Sequence, residues 1–163
     1  MPAVDQKNNN QAVPLTSVVS GSFKKFKPEI DAAIDRLQGN SVIVLAPDKG
    51  WLYVPTMRVC SAADLEFRPL PSERGMEPGQ VELDFLEKLK NADFVYLVNP
   101  GGYVGISVCL EIGAAMARKI PVYAAEAIRA DLDPDLFWAR YIRYVKVATV
   151  EEAIALERSL RKP

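Results

Sequence analysis

The chain has 163 residues and no histidine. The side chain that most often moves protons near neutral pH is therefore missing. Acid–base chemistry has to fall to Asp, Glu, Tyr, Lys or Cys. Cysteine is scarce too: Cys60 and Cys109 are too few for a disulfide framework or a zinc site. The expectation is a cytoplasmic protein with both thiols reduced. No apolar run approaches the ~20 residues of a membrane span. The N-terminal MPAVDQKNNNQAV lacks the apolar core of a signal peptide. A net charge of −1 excludes a general attraction to nucleic acid polymers or anionic membranes. About half of the residues are apolar, and the length suits one domain with a sizeable core.

Order along the chain comes from the spacing of the apolar residues. Residues 1–14 hold three consecutive asparagines and no periodicity, and read as a flexible tail preceding a domain over 15–163. Ser17 to Ser20 read as a strand ending at Gly21-Ser22. A helix follows, with Pro28 in its first turn and Ile30, Ala33, Ile34 and Leu37 as its apolar stripe. Ser41 to Ala46 is a continuous apolar run, the pattern of a strand covered on both faces. Residues 47–80 then hold five of the twelve prolines and no helical period. Within this Pro-rich insertion, Pro47 to Gly79, two short strands are predicted at Trp51–Val54 and Leu65–Arg68. The remainder reads as loop, and loops this long are more often functional than idle.

Further on, the spacing predicts a helix over Val81–Asn91, a strand over Phe94–Val98 and a helix over Ser107–Arg118. A strand over Ile120–Ala124, a short helix over Pro134–Arg140, a strand over Tyr141–Val147 and a terminal helix over Glu151–Arg161 complete the chain. Strand and helix alternate about five times, with apolar runs in the strands. The fold class expected is α/β: a five-stranded, mostly parallel sheet with helices on both faces, a three-layer sandwich of flavodoxin or Rossmann type.

Ligands of open α/β sheets bind beyond the carboxyl ends of the strands. Three stretches fall there: Gly21-Ser22-Phe23 with Lys24, Lys25 and Lys27 behind it, the segment after Pro47, and the Gly-rich turn from Asn99 to Ser107. The helix after that turn is apolar on nearly every side and carries one charge, Glu111. An unpaired buried charge is very costly, so Glu111 must reach a polar cavity or lose its charge. With Ser107 as N-cap, the helix dipole would favour the ionised form, suiting a nucleophile or base; a carboxylate that merely steadies the helix start is the other reading. The Gly-Gly-Tyr-Val-Gly spacing is neither a Walker loop nor a dinucleotide fingerprint. The three lysines could hold a phosphate or form a solvated basic face. Asp84 could be a second catalytic carboxylate or a charge at a helix start, with Glu82 its rival.

Several of these pieces together resemble the nucleoside 2-deoxyribosyltransferase-like superfamily, which includes the 2′-deoxynucleoside 5′-phosphate N-hydrolases. They are the strand leading to Gly21-Ser22-Phe23, a helix with an acidic residue leading into NADFVYLVNP, then GYVGIS and LEIGAAMARKIPVY. They cover most of residues 17–125, in the family's order. The resemblance implies cleavage of the N-glycosidic bond of a (deoxy)nucleoside or its 5′-monophosphate, by hydrolysis or by transfer to another base. Glu111 would be the nucleophile and Asp84 would bind the sugar or help the base leave. Gly21, Ser22, Phe23, Asn99, Gly102, Tyr103, Gly105 and Ser107 would line the substrate site. It implies no cofactor, no metal, a small-molecule nucleoside or nucleotide as partner, and a homo-oligomer. The chain departs from the transferases in having Asn99, Gly105 and Ser107 where they often carry an Asp and a Gly-Thr. PGGYVG is also similar to the turn of the phosphoribohydrolases that act on ribonucleotides, without their other Gly-rich loop. A non-catalytic nucleotide-binding or sensor module is the competing reading, and a structural subunit of a larger assembly a third.

Overall fold

The computed structural model describes residues 13–47, 52–55, 65–68, 76–129 and 144–161. Among the described residues, seven strands and four α-helices follow one another as β1 (Thr16–Gly21), α1 (Phe23–Gly39), β2 (Ile43–Ala46), β3 (Leu52–Pro55), β4 (Leu65–Arg68), α2 (Pro78–Leu89), β5 (Phe94–Val98), α3 (Ile106–Ala117), β6 (Val122–Ala124), β7 (Val145–Val147) and α4 (Val150–Leu160). Five strands form one parallel sheet in the order β2-β1-β5-β6-β7. β3 and β4 form a separate antiparallel pair, with Leu52 opposite Arg68 and Pro55 opposite Leu65. The fold class read from the apolar runs is the one observed.

The two faces of the sheet follow from side-chain alternation along each strand. On β1 and β5, Val19, Phe94, Tyr96 and Val98 point into one core with Ile30, Ile34 and Leu37 of α1 and Ala153 and Ile154 of α4. Val18, Val95 and Leu97 point into the other, with Phe85 and Leu89 of α2 and Val108, Ile112 and Ala115 of α3. Both faces of β5 are covered, and all five of its residues are buried. That explains the unbroken apolar run Phe94–Val98. The run Ser41–Ala46 does not have the same cause. β2 is the sheet's edge strand, and Ile43 is about half exposed.

α1 begins at Phe23, five residues before the Pro28 start expected from sequence. Inside a helix, the Pro28 ring would meet the carbonyl four residues back. The chain avoids this with a kink at Phe26 (φ −130°, ψ 31°), so a first turn capped at Ser22 precedes the main helix. The expected N-terminal tail, Trp51, the helix at 134–140 and the first part of the strand at 141–147 lie wholly or mostly outside the described residues.

Asp93 fastens the start of β5 to β1. Its carboxylate accepts from the Thr16 backbone N–H (2.6 Å) and hydroxyl (2.8 Å), and it pairs with Arg161. Partial burial opposes the charge, but the Thr16 and Arg161 contacts prevail and hold the carboxyl below its ordinary value. Asp93→Ala is expected to cost about 1–3 kcal/mol in urea unfolding at pH 7. A carboxyl with a lowered folded-state pKa stabilises above its unfolded value and loses that effect on acidification. The difference should therefore shrink as pH falls below about 3.8.

Candidate active site

From β1 the chain moves outward to β2, and it later returns through α2 to β5 on β1's other side. The strand order thus reverses between β1 and β5. In open α/β sheets the crevice at such a reversal is where ligands bind. Ser20 and Gly21 end β1 there, and Val98 ends β5. The two ends lie unusually close. A Cβ on Gly21 would sit 2.8 Å from the Val98 carbonyl oxygen and 3.1 Å from Ile30 Cδ1. Gly21 therefore serves close strand and helix packing.

Glu111 comes up against this edge from α3. It is 4% exposed, and the fully buried Ser20 hydroxyl donates a hydrogen bond to its Oε2. Burial pushes the Glu111 carboxyl up to about 8; the Ser20 hydrogen bond opposes that rise, and the charge of Glu82 adds to it. The ionised carboxylate expected from the helix dipole is thus not what this environment favours. The helix is capped at Gly105, not Ser107, and Glu111 is its sixth residue. Dipole stabilisation fades within the first turn, so burial prevails. Ser107 is an exposed residue of that first turn.

The second carboxylate at Glu111 is Glu82. It is half-buried, burial raises its pKa, and its Oε1 is enclosed with no hydrogen-bond partner. Asp84 instead pairs with Lys88 one turn further along α2 (2.8 Å). Glu82, not the expected Asp84, is thus the carboxylate beside Glu111, for a geometric reason. Residues two apart on a helix point about 160° apart, so only one of the two can face α3. Two neighbouring carboxyls in a poorly hydrated site do not both ionise readily. Burial and their mutual repulsion therefore favour the protonated form of Glu111.

Beyond the end of β1, α1 and the Gly-rich turn meet. Lys25 Nζ lies 3.6 Å from the centroid of the Tyr103 ring, and Phe26 meets the same ring edge-on at 6.0 Å. Tyr103 also lies over the start of α3, with its hydroxyl 3.7 Å from where a Gly105 Cβ would be. Gly21-Ser22-Phe23, Tyr103 and Gly105 are thus brought to one edge. Neither Ser22 nor Gly105 supplies a side-chain cap; the Ser22 carbonyl accepts from the Lys25 and Phe26 N–H groups, and the Gly105 carbonyl from that of Cys109. Of the three lysines, Lys25 is committed to Tyr103 and Lys27 to Asp31 (2.5 Å).

Asn99 and Gly102 have a different task. The Asn99 side chain is fully buried, donates to the Glu126 carbonyl (2.7 Å) and accepts from the Glu126 N–H (3.0 Å). The Glu126 carboxylate in turn accepts from the Gly101 N–H (3.0 Å). Gly102 lies against the passing chain, and its carbonyl accepts from the Arg129 N–H (3.0 Å). These residues clasp the turn to the segment after β6. The Asn99 side chain and the Gly102 N–H and carbonyl are thus bonded within the protein.

Ser20 and Glu126 escaped the sequence reading. For Ser20 a signal was available: a hydroxyl at the carboxyl end of an otherwise apolar strand. Among the described residues, no three His, Cys, Asp or Glu side chains come together as a metal site, and no helix is long and apolar enough to cross a membrane. In comparison with known proteins, no family model matches the chain and no curated protein matches its sequence.

Proposed function

We propose that the chain cleaves the N-glycosidic bond of a (deoxy)nucleoside or nucleoside 5′-monophosphate, with Glu111 as the nucleophile. The observation that carries this reading is the Glu111 carboxyl at the strand-order reversal, bonded to Ser20 and next to the unpartnered Glu82. Breaking a nucleoside C–N bond develops an oxocarbenium-like sugar, as in glycoside hydrolysis. A carboxylate beneath the anomeric carbon stabilises that charge or traps it as a covalent ester. The departing base needs a proton, which the Tyr103 hydroxyl at the same edge of the sheet can supply. Water on the sugar then gives hydrolysis, and a second base gives transfer. The resemblance along residues 17–125 supports the same chemistry and a homo-oligomer, and the scarcity of cysteine a cytoplasmic setting.

Base release is expected to rise with pH through about 8 in kcat/KM, because the nucleophile must be ionised. A pH–rate profile on a good substrate checks it. The substrate itself is found by incubating the protein with ribo- and deoxynucleosides and their monophosphates, then separating free bases by liquid chromatography. One observation favours the non-catalytic nucleotide-binding module: the Ser20–Glu111 hydrogen bond also ties α3 to β1 in the interior. That reading predicts ligand-induced thermal stabilisation with no base released from any member of the panel.

A further inference from the structure

Along β1, alternate side chains enter opposite cores. Val19 joins the core under α1 and α4, and Val18 the core under α2 and α3. Ser20 therefore points the same way as Val18, toward α2 and α3. Its neighbours in that row are apolar: Val18 pairs with Val95, and Ser20 itself with Leu97. An alanine would fill such a place without needing a hydrogen-bond partner. Ser20 brings a fully buried hydroxyl there, and a buried hydroxyl needs one. Among the described residues it donates to Glu111 Oε2. The other buried serine of β1, Ser17, donates only to the adjacent Val18 carbonyl (3.2 Å), a local bond.

The bond from Ser20 has a consequence for Glu111. A glutamate side chain is long and rotates about several bonds, so its carboxyl needs an anchor if it is to keep one orientation. β1 lies inside the sheet, between β2 and β5, and gives the Ser20 hydroxyl a rigid mount. The hydrogen bond falls on Oε2, which leaves Oε1 as the oxygen for attack. It also favours the ionised carboxyl against burial, while the charge of Glu82 on α2 works the other way. Ser20 is itself 0% exposed, so it does not meet a ligand and acts only through Glu111.

We infer that Ser20 is a positioning residue: from the end of β1 its hydroxyl holds Oε2 of Glu111, so that Oε1 faces the anomeric carbon of the bound sugar. The inference rests on the cleavage chemistry proposed above and adds to it the residue that aims the nucleophile. As the C–N bond breaks, its electron pair leaves on the base, which takes a proton, and Oε1 supplies the pair for the new bond to carbon. Ser20 keeps its own proton throughout and stays bonded to Oε2, the carbonyl oxygen of the ester.

Steady-state base release by the full chain, on the best substrate of the nucleotide panel, tests it. Ser20→Ala is expected to lower kcat about 10–100-fold on the plateau above its rising pH limb, with KM within about twofold of the wild type. Its rising limb should move to higher pH, because the bond that favours the ionised form is gone. Ser20→Cys, with a weaker donor, should recover part of kcat. Ser17→Ala removes the other buried hydroxyl of β1 and should change neither kcat nor the limb. If Ser20→Ala misfolds, Ser20→Cys makes the same prediction against the wild type: a lower kcat and a limb at higher pH. An active wild type matched by the Ser20 variants in kcat and pH midpoint would overturn the inference and leave the proposed cleavage standing. An equal loss in Ser17→Ala would overturn it too, because the effect is then merely structural. A wild type that frees no base overturns the cleavage reading itself, and this inference with it.

Discussion

Glu111→Gln should make the protein more stable at pH 8.5 while leaving it almost unchanged near pH 5. The sign follows from the position of one proton. Burial raises the folded-state carboxyl from 4.5 to about 8, so between those values the folded chain keeps a proton that the unfolded chain has lost. Stability then falls as pH rises through this window, by up to about 1.4 kcal/mol per pH unit. Glu82, also raised, pulls in the same direction. Glutamine carries no charge at any pH and its amide oxygen can still accept from Ser20. The expected gain at pH 8.5 is a few kcal/mol, on the order of 5–10 °C in Tm for a chain of this size. Thermal melts of both proteins from pH 5 to 9 check it. A functional group that costs stability is the pattern expected of a site retained for chemistry.

Gly102→Ala should be the most damaging small substitution in the turn after β5. Gly102 has φ +73°, and a Cβ there would sit 2.5 Å from the Ala127 carbonyl oxygen and 2.9 Å from the Arg129 nitrogen. Those atoms are backbone and cannot rotate away. The left-handed conformation alone costs an L-residue roughly 1–2 kcal/mol. Displacing the 127–129 segment also strains the Arg129 N–H to Gly102 hydrogen bond and the Asn99–Glu126 clasp. A total loss of about 3 kcal/mol or more is expected, read by urea unfolding. Gly101→Ala gives the contrast. Its φ is also positive (+65°), but a Cβ there meets nothing within 4 Å, so only the conformational cost applies.

The comparison of these two glycines shows where sequence reasoning stopped. A Gly-rich turn at a strand end signals close approach of something, but not what approaches. At Gly102 it is the protein's own chain after β6. The helices and most strands were legible because each is written in a local period: Leu89 and Phe85 on α2, or the five buried residues of β5. β2 has the same apolar look as β5, yet lies at the edge, since strand order depends on contacts distant in sequence. Glu111 stood out as the one charge in an apolar helix. Its hydrogen bond to Ser20 joins residues 91 positions apart and has no local signature. The choice between Asp84 and Glu82 turned on helix phase. The Lys88 partner four residues after Asp84 could have decided it.

The reactivity of Glu111 is tested most directly by measuring free base released from the best substrate of the nucleotide panel at pH 8.5, wild type against Glu111→Gln. The account predicts release by the wild type, a loss of about 10³-fold or more in the variant, and ligand-induced thermal stabilisation that persists in both. A variant that frees base at the wild-type rate, or a wild type that binds nucleotides and frees none, would contradict it.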